Sequence, residues 1–380
     1  MTSADATACI GRWLVSPVEA AVEQSLQALA RSAGVRHVAV MPDVHLAEEV
    51  CVGVVVATDN TLYPSAVGGD IGCGMAAIAF HGEAAALRDE ARAARLLSGL
   101  GRRIPALKHG PATAPLQLPE PLERELLSED HLERLKRREG RLQFATLGRG
   151  NHFIEFQEDP EGRLWLMVHS GSRAMGQAIR EHHERRAGPA PGLRPLAAES
   201  AAGRAYLSDH GWALRYAELS RSTMTAQACE LVEQVLAVDA DWTTFFQCHH
   251  NHVQHEMHFG ARLWVHRKGA LAADEGTRAV IPGSMGSPSY HVTGRGHVPA
   301  LRSSSHGAGR CMSRSEARRR VSPRRLEREM KGVLFDHRKA RELCDEAPSA
   351  YRDIEKVMRA QRDLVRVERR LWPILSYKGA

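Results

Sequence analysis

Seven segments, six of which contain glycine, carry the residues in this chain that could do metal or phosphate chemistry. They read MPDVH (41–45), GGDIGCGM (68–75), LGRGNHFIEF (147–156), VHSGSR (168–173), CHHNHVQHEMHFG (248–260), IPGSMGSPSY (281–290) and SSSHGAGR (303–310). Most of them join glycine to histidine, aspartate, cysteine, asparagine or serine. Glycine adopts positive φ at little cost and lets the backbone approach a ligand closely. The segments are therefore candidates for turns that aim a polar side chain at a bound ion or phosphate.

The residue types in four of these segments favour a metal centre. Asp70 and Cys73 are three apart in a loop with four glycines, and His152, His169 and His250 occur at the ends of predicted strands or in a histidine cluster. Taken singly, such a histidine is more often a hydrogen-bonded core residue, and the Asp–Cys loop an ordinary turn. Cysteine with histidine suits zinc, whereas carboxylate with imidazole also suits manganese. The residue types leave the metal open.

Two later segments could hold a nucleotide. The imidazole of His306 could attack phosphorus as a covalent nucleophile, and Arg310 follows four residues later. Ser284 and Ser289 offer hydroxyl groups to a base or phosphate. The backbone amides that could cradle phosphate belong to Gly307, Ala308 and Gly309. The alternative for both segments is a polar surface turn, and their coexistence favours a nucleotide site.

The elements that must position these residues alternate irregularly between strand and helix. Short apolar runs predict strands within 35–80, a hairpin from HFIEF and RLWLMVH, and strands at LWVHRKGAL and TRAVIPG. Helical spacing covers 84–140 and 173–240, interrupted by KHGPATAPLQLPEP and AGPAPGLRP. Glycine-bearing loops are expected from 283 to 310, and a helix from Asp345 to Arg370. No G-x-G-x-x-G follows a strand, so a Rossmann fold is unsupported. The prediction is an α+β protein.

Composition narrows the class of protein. The chain has 380 residues, of which 43% are apolar, and Lys+Arg 51 against Asp+Glu 45 leaves a formal charge of +6, which permits a polyanionic partner. Its seven cysteines contain no C-x-x-C pair, which fits a reducing compartment. No apolar run is long enough to cross a membrane and no secretory signal is evident, so a cytoplasmic, soluble protein with no membrane partner is expected.

Taken together, the segments resemble the RtcB family of RNA-splicing and RNA-repair ligases. MPDVH, GGDIGCGM, LGRGNHFIE, VHSGSR, HHN, RKGA, IPGSMG, SHGAGR, EAPSAY and a C-terminal YKG occur in the family's order. The resemblance runs from about residue 35 to the end and is weakest in 84–140 and 187–200. It implies one catalytic domain spanning 1–380, with mixed and antiparallel sheets and packed helices around a central metal and nucleotide cleft.

The resemblance also implies an activity. Members of this family join an RNA 3′-phosphate or 2′,3′-cyclic phosphate to a 5′-hydroxyl end, using GTP and manganese. It implies two Mn²⁺ ions per site, which replaces the zinc suggested by residue type. The implied ligands are Asp70, Cys73 and His152 for one ion, and Cys73, His169 and His250 for the other, with the thiolate bridging. His250 is selected within its cluster because the family ligand directly precedes an asparagine, here Asn251.

Roles for the remaining residues follow from the same resemblance. His306 is expected to become guanylylated, with Asp43 orienting its imidazole. The implied nucleotide contacts are Asn151, Glu155 and Asn251 near the metals, Ser284, Ser289, Tyr351 and Lys378 around guanine, and Gly307, Ala308, Gly309 and Arg310 at phosphate. The basic run 313–331 is expected either to contact RNA or to form a solvated helix. Some family members depend on a small accessory protein, and the sequence carries no indication of one.

Some residues depart from the family pattern, and two other functions compete with ligation. Glu48 and Glu49 follow MPDVH where many members have glycine and lysine, His252 replaces a frequent tyrosine, and Ser304 a frequent cysteine. These changes suggest a divergent subgroup serving RNA repair. A dinuclear metal phosphoesterase would use the same ligands without GTP, and a catalytically inactive RNA-binding protein would have lost a ligand or His306. Retention of His306 favours the ligase.

Overall fold

A computed structural model of the protein describes residues 8–110, 113–187 and 193–379. The strands are β1 (Cys9–Arg12), β2 (Val35–His45), β3 (Val52–Thr58), β4 (Thr61–Leu62), β5 (Gly74–Glu83), β6 (Phe153–Glu158), β7 (Arg163–Ser170), β8 (Leu196–Ala197), β9 (Ala240–His249), β10 (Asn251–His258), β11 (Ala261–Lys268), β12 (Ala270–Ala272), β13 (Arg278–Ile281), β14 (Ser289–Gly294), β15 (Ser303–Ser305) and β16 (Val365–Lys378). The helices are α1 (Ala20–Ala30), α2 (Glu90–Arg103), α3 (Glu120–Arg124), α4 (Asp130–Leu135), α5 (Arg141–Gln143), α6 (Arg173–Arg186), α7 (Ala201–Leu236), α8 (Arg314–Arg320), α9 (Pro323–Glu329) and α10 (Ile354–Ala360). The α+β prediction is confirmed.

A seven-stranded sheet brings distant segments of the chain to one edge. Its order is β13-β14-β16-β6-β7-β5-β9, with antiparallel neighbours throughout. The β6–β7 pair is the predicted hairpin. Gly74, at the start of β5, lies opposite Ser170 on one side and His249 on the other, while Phe153 lies opposite His169. The register of antiparallel pairing fixes which residues lie opposite each other, so the residues next to these positions meet at the same end of the sheet.

A five-stranded sheet, in the order β1-β2-β3-β11-β10, packs across the first one. Alternating residues of β3 show how it divides the core. Val54 and Val56 point toward α1 and belong to the same apolar cluster as Leu26, whereas Val55 and Ala57 pack in a cluster shared with the seven-stranded sheet. A strand buried on both faces reads as a continuous apolar run, as VGVVVAT does here.

Helices cover the other face of the seven-stranded sheet. The long helix α7 packs against β5 and β7 and also contacts α2 and α6. Its fully buried residues include Trp212 and Tyr216, which share a core with Ile78 and Phe80 of β5. The layers are therefore α1, the five-stranded sheet, the seven-stranded sheet and the α2–α6–α7 group. Within the described ranges, no helix is both long enough and apolar enough to cross a bilayer.

Two predictions of local structure are wrong. The tail from Asp345 to Arg370 is not one helix, because it consists of single-turn 3₁₀ segments, the short α10 and the first part of β16. The region 283–310 is not only loop, since β14 and β15 form within it. The interruptions predicted at KHGPATAPLQLPEP and AGPAPGLRP fall partly on residues 111–112 and 188–192, which lie outside the described residues.

Candidate metal and nucleotide site

The five predicted metal ligands meet at one end of the seven-stranded sheet. The Cys73 Sγ atom lies 3.3 Å from His169 Nε2 and 3.5 Å from His152 Nε2. His152 Nε2 is 2.9 Å from Asp70 Oδ2, and the Nε2 atoms of His169 and His250 are 3.0 Å apart. The structure thus groups these side chains in two sets that share Cys73, as predicted from the resemblance.

Hydrogen bonds to the far ring nitrogens fix which atom two of these histidines present. His169 Nδ1 lies 3.0 Å from the Asn151 carbonyl oxygen, and His250 Nδ1 lies 3.3 Å from Asn251 Oδ1. Both acceptors require Nδ1–H, which leaves a lone pair on each Nε2. Asn251 is itself held, since its Oδ1 accepts from Gly269 N (2.8 Å) and its Nδ2 donates to the Asp70 carbonyl (3.0 Å).

The electrostatics of this cluster fit a divalent cation. Burial lowers the pKa of His169 and His250 well below the usual value, and neighbouring histidines lower it further, so both rings are neutral. Two neutral rings whose Nε2 lone pairs point at each other at 3.0 Å repel unless a cation lies between them. Asp70 Oδ1 is buried and without a hydrogen-bond partner. The donor set of carboxylate, thiol and imidazole therefore suits a metal such as manganese or zinc.

Asp70 and Cys73 respond oppositely to their surroundings. Burial opposes ionisation of Asp70, but its hydrogen bond and charge attraction with His152 outweigh that effect and lower its pKa to about 2. Burial, reinforced by Asp70, raises the pKa of the Cys73 thiol well above its usual value. A coordinated thiol is deprotonated by its metal. Cys73 is thus a group whose charge would change on metal binding.

His306 lies directly beside this cluster. Its ring centre is 4.6 Å from that of His250, and its Nδ1 is 2.7 Å from Oδ2 of Asp43. Asp43 is completely buried and also accepts a hydrogen bond from the His306 backbone N–H at 3.2 Å. With Nδ1–H donated to the carboxylate, the lone pair resides on Nε2. The predicted pairing of Asp43 with His306 is present.

A single cavity of about 360 Å³ joins the cluster to the remaining predicted residues. Asp43 and His152 lie behind its wall, in contact with His306 and Asp70. The predicted residues that line the cavity are Asp70, Cys73, Asn151, Glu155, His169, His250, Asn251, Ser284, Ser289, His306, Gly307, Ala308, Gly309, Arg310, Tyr351 and Lys378. The structure therefore brings together every residue that the sequence predicted for the site.

The far end of the cavity is built around Glu346, which sequence reasoning missed. Its carboxylate pairs with Lys378 (Nζ–Oε2 2.5 Å), accepts from Tyr351 OH at 2.7 Å and contacts Arg314. Burial opposes ionisation of Glu346, but the charges of Lys378 and Arg314 outweigh it and hold its pKa at about 2. EAPSAY, which contains Glu346, belonged to the family pattern, so the motif carried the signal without indicating this residue.

Arg310 and Glu155 complete this end. Arg310 stacks over the Tyr351 ring at 5.1 Å and donates to the Asp345 carbonyl at 2.7 Å, so its guanidinium is anchored to the protein. Glu155 is buried and accepts from Gln157 at 2.7 Å. Burial raises the pKa of Glu155 to about 8. Other lining residues that were not predicted include Phe153, Lys268 and Arg314.

The basic run 313–331 is divided between two settings. It forms α8 and α9, and Arg314 and Arg318 of α8 turn toward Asp345 (2.9 and 3.1 Å). Arg325 pairs within its own helix with Glu329. Arg314 therefore lines the cavity, whereas Arg318 remains largely exposed to solvent.

Comparison with known proteins places the chain in a family. The family model described as "tRNA-splicing ligase RtcB" matches residues 25–130 and 123–379. The chain is 35% identical to the RNA-splicing ligase RtcB of Escherichia coli K12 and to RNA-splicing ligase RtcB1 of E. coli ATCC 25922, covering 96% of this chain and 95% of each relative. It is 30% identical to the RNA-splicing ligase RtcB of Mycobacterium tuberculosis H37Rv, over 89% of this chain and 96% of the relative. With a match of this extent, the chain belongs to the RtcB family.

Proposed function

We propose that this protein is an RNA ligase that joins an RNA 3′-phosphate or 2′,3′-cyclic phosphate end to a 5′-hydroxyl end, with GTP as co-substrate and two Mn²⁺ ions bound. The observation that carries the proposal is the position of His306. Its Nδ1 is held by a buried carboxylate at 2.7 Å, and its ring lies beside the cysteine–histidine cluster in a cavity large enough for a nucleotide. Relatives bearing RNA-ligase names support the same activity.

The residues that line or back the cavity would have separate roles in this reaction. Asp70, Cys73, His152, His169 and His250 would hold the ions, which when bound offset charge on phosphoryl oxygens. Asp43 keeps the proton of His306 on Nδ1, so that Nε2 is free to attack. Asn151, Glu155 and Asn251 would contact the nucleotide near the metals, and Ser284, Ser289, Tyr351 and Lys378 would surround guanine. The amides of Gly307, Ala308 and Gly309, with Arg310, would face phosphate.

The proposed reaction has three chemical steps. His306 Nε2 attacks the α-phosphorus of GTP and pyrophosphate leaves, which forms a phosphoramidate on the histidine. The RNA 3′-phosphate, freed by water where it was cyclic, then attacks that phosphorus and regenerates His306. The 5′-hydroxyl of the second RNA attacks the activated 3′-phosphate, GMP leaves, and a 3′,5′-phosphodiester forms. A covalent intermediate divides one difficult displacement into easier ones.

A ligation assay with defined RNA ends tests the proposal. We expect purified protein with Mn²⁺ and GTP to join a 3′-phosphate RNA to a 5′-hydroxyl RNA, and not to join a 3′-hydroxyl RNA to a 5′-phosphate RNA. Release of the terminal phosphate without GTP, and without joining, would instead indicate a metal phosphoesterase.

We propose that the protein works in the cytoplasm and that its role is RNA repair rather than tRNA splicing. Preferential joining of split tRNA halves over other nicked RNAs would contradict that role.

A further inference from the structure

The side chain of Arg221, in the middle of α7, is completely buried directly behind the cysteine–histidine cluster. Its Nη1 donates to the carbonyl oxygens of Gly72 (2.7 Å) and Ser170 (2.9 Å). Its Nη2 donates to His249 Nδ1 (3.0 Å), and its Nε donates to Gln247 Oε1 (3.3 Å). One guanidinium therefore makes four hydrogen bonds to segments that are far apart in the sequence.

Three of the four acceptors are direct neighbours of predicted metal ligands. Gly72 precedes Cys73, Ser170 follows His169, and His249 precedes His250. Two backbone hydrogen bonds already join two of these segments, from Gly72 N to the Asn251 carbonyl (2.8 Å) and from His250 N to the Cys73 carbonyl (2.9 Å). The third segment, which carries His169, is joined to the first by the β5–β7 ladder, in which Gly74 lies opposite Ser170. Arg221 donates to all three segments at once and so adds a side-chain tie to these backbone pairings.

The chemistry of this attachment suits arginine alone. A guanidinium is a planar, rigid group with five N–H donors, whereas a lysine ammonium is a point charge on a flexible stem. The four acceptors of Arg221 are two carbonyls, an amide oxygen and an imidazole nitrogen, so none of them carries a negative charge. A buried cation with neutral partners favours negative charge nearby, as a carboxylate and thiolate ligand pair would provide.

We propose that Arg221 is a positioning residue for the metal centre: it sets the relative placement of Cys73, His169 and His250 through their neighbours, and its charge favours the anionic ligands. This inference rests on the metal centre of the proposed function. Partners of metal ligands that lie behind them typically change metal affinity by about 10- to 100-fold when substituted. Arg221 takes no direct part in the chemical steps, so substituting it should change the affinity for metal.

Cobalt(II) is the probe that reads this effect without relying on activity. Bound to a cysteine thiolate, Co²⁺ gives a near-ultraviolet charge-transfer band, which reports coordination by Cys73. We expect R221Q, which loses both the planar set of N–H donors and the charge, to bind Co²⁺ about 100-fold more weakly than the unsubstituted protein, with a diminished band. R221K keeps the charge but not the planar set of donors, and we expect its Co²⁺ affinity to fall about tenfold.

Lys136 provides a matched control. Its side chain is equally buried, and its Nζ donates to the carbonyls of Glu123 (3.2 Å) and Glu125 (2.7 Å) and pairs with Glu133 (3.1 Å). K136M therefore also removes a buried cation that ties backbone carbonyls, but away from the cluster. We expect it to lower the thermal unfolding midpoint while leaving Co²⁺ affinity and the charge-transfer band unchanged.

The outcomes separate this inference from the proposed function. A folded R221Q or R221K with unchanged Co²⁺ affinity and band would overturn the positioning role and leave the ligase proposal intact. Failure of both Arg221 variants to fold, while K136M folds, would also overturn it, because Arg221 would then support the whole fold. Failure of the unsubstituted protein to bind Co²⁺ with a thiolate band would remove the metal centre, and the proposed function with it.

Discussion

The contact between Asp43 and His306 decides whether the imidazole can act as a nucleophile. Attack on phosphorus requires a lone pair on the nitrogen that faces the cavity. Asp43 is buried and 2.7 Å from Nδ1, so it holds the proton there. An asparagine in its place can present an N–H toward Nδ1 instead, which would favour the opposite tautomer.

We therefore expect D43N to lower the rate of GTP-dependent labelling of His306 on the order of 100-fold or more. The measurement is single-turnover transfer of label from α-labelled GTP to the protein. D59N is a suitable control, because Asp59 is an exposed partner of Arg36 at the surface. Labelling of D43N at the unsubstituted rate would show that the carboxylate does not orient the histidine.

Glu155 provides a second test at this scale. Its pKa is raised from 4.5 to about 8 by burial, so the folded state binds a proton that the unfolded state releases between these values. Stability supplied by this group is present below pH 4.5 and is lost as pH rises toward 8. We expect E155Q to be more stable than the unsubstituted protein at pH 7 by about 3 kcal/mol, and the difference to vanish near pH 4.5.

Urea unfolding at several pH values measures this difference. E139Q is the control, because Glu139 is only partly buried and pairs with the exposed Arg138. A constant difference between E155Q and the unsubstituted protein from pH 4.5 to 8 would mean that Glu155 is ionised in the folded state.

At the scale of elements, α7 acts as the platform for the metal cluster. Gly72, with φ +72°, packs on this helix so closely that a Cβ atom would lie 2.9 Å from Ala217 Cβ and 3.1 Å from Leu214 Cα. Both the backbone conformation and the contact require glycine at this position. The loop that carries Asp70 and Cys73 is therefore seated directly on the helix that carries Arg221.

We expect G72A to lower the free energy of unfolding by about 2 kcal/mol or more, since it adds steric overlap to the penalty of a left-handed alanine. It should also weaken metal binding. G162A isolates the backbone penalty, because Gly162 has φ +80° with open space around its Cβ position. Equal destabilisation by the two substitutions, measured by thermal unfolding, would show that packing on α7 contributes nothing.

The C-terminal strand shows where sequence reasoning failed at this scale. The segment 345–370 contains arginines, glutamates and leucines at spacings that favour a helix, yet β16 begins at Val365 and continues to Lys378. Its structure is decided by partners far away in sequence: Trp372 lies opposite Glu158 of β6, and Arg370 opposite Tyr290 of β14. The local sequence pattern does not reveal pairing between strands that are distant in the sequence, although the position of Lys378 in the site depends on this pairing.

At the scale of the whole molecule, buried histidines make the fold sensitive to acid. Burial lowers the pKa of His210 and His291 to about 3 and that of His266 to about 4, from 6.5. Below pH 6.5 the unfolded chain binds protons that the folded protein excludes, so stability falls as pH falls toward these values. Each histidine contributes a slope of roughly 1.4 kcal/mol per pH unit.

Unfolding free energies between pH 6.5 and 4.5 test this slope. We expect H291Q to reduce it by roughly one histidine's share, since His291 packs against Trp165 and Phe246 in the interior. H255Q, at the exposed His255, should leave the slope unchanged. A flat profile for the unsubstituted protein would contradict the neutral, buried state of these rings.

The site was more predictable than the fold around it, for a physical reason. Residues such as Cys73 and His306 need unusual neighbours, glycine above all, so their segments stand out in the sequence. Arg221 and Glu346 act through positions that only the tertiary structure creates, and in the sequence they look like any charged residue of a helix or turn. Resemblance to a family supplied the ligand grouping, which the spacing of distant segments could not.

The proposed ligation requires a covalent adduct on His306, and labelling with α-labelled GTP in the presence of Mn²⁺ detects that adduct. We expect one label per chain, stable in alkali and released by acid as expected of a phosphoramidate, and no label on H306N that is folded and metal-loaded. A folded, metal-loaded protein that takes up no label, or an H306N variant that is labelled equally, would contradict this expectation.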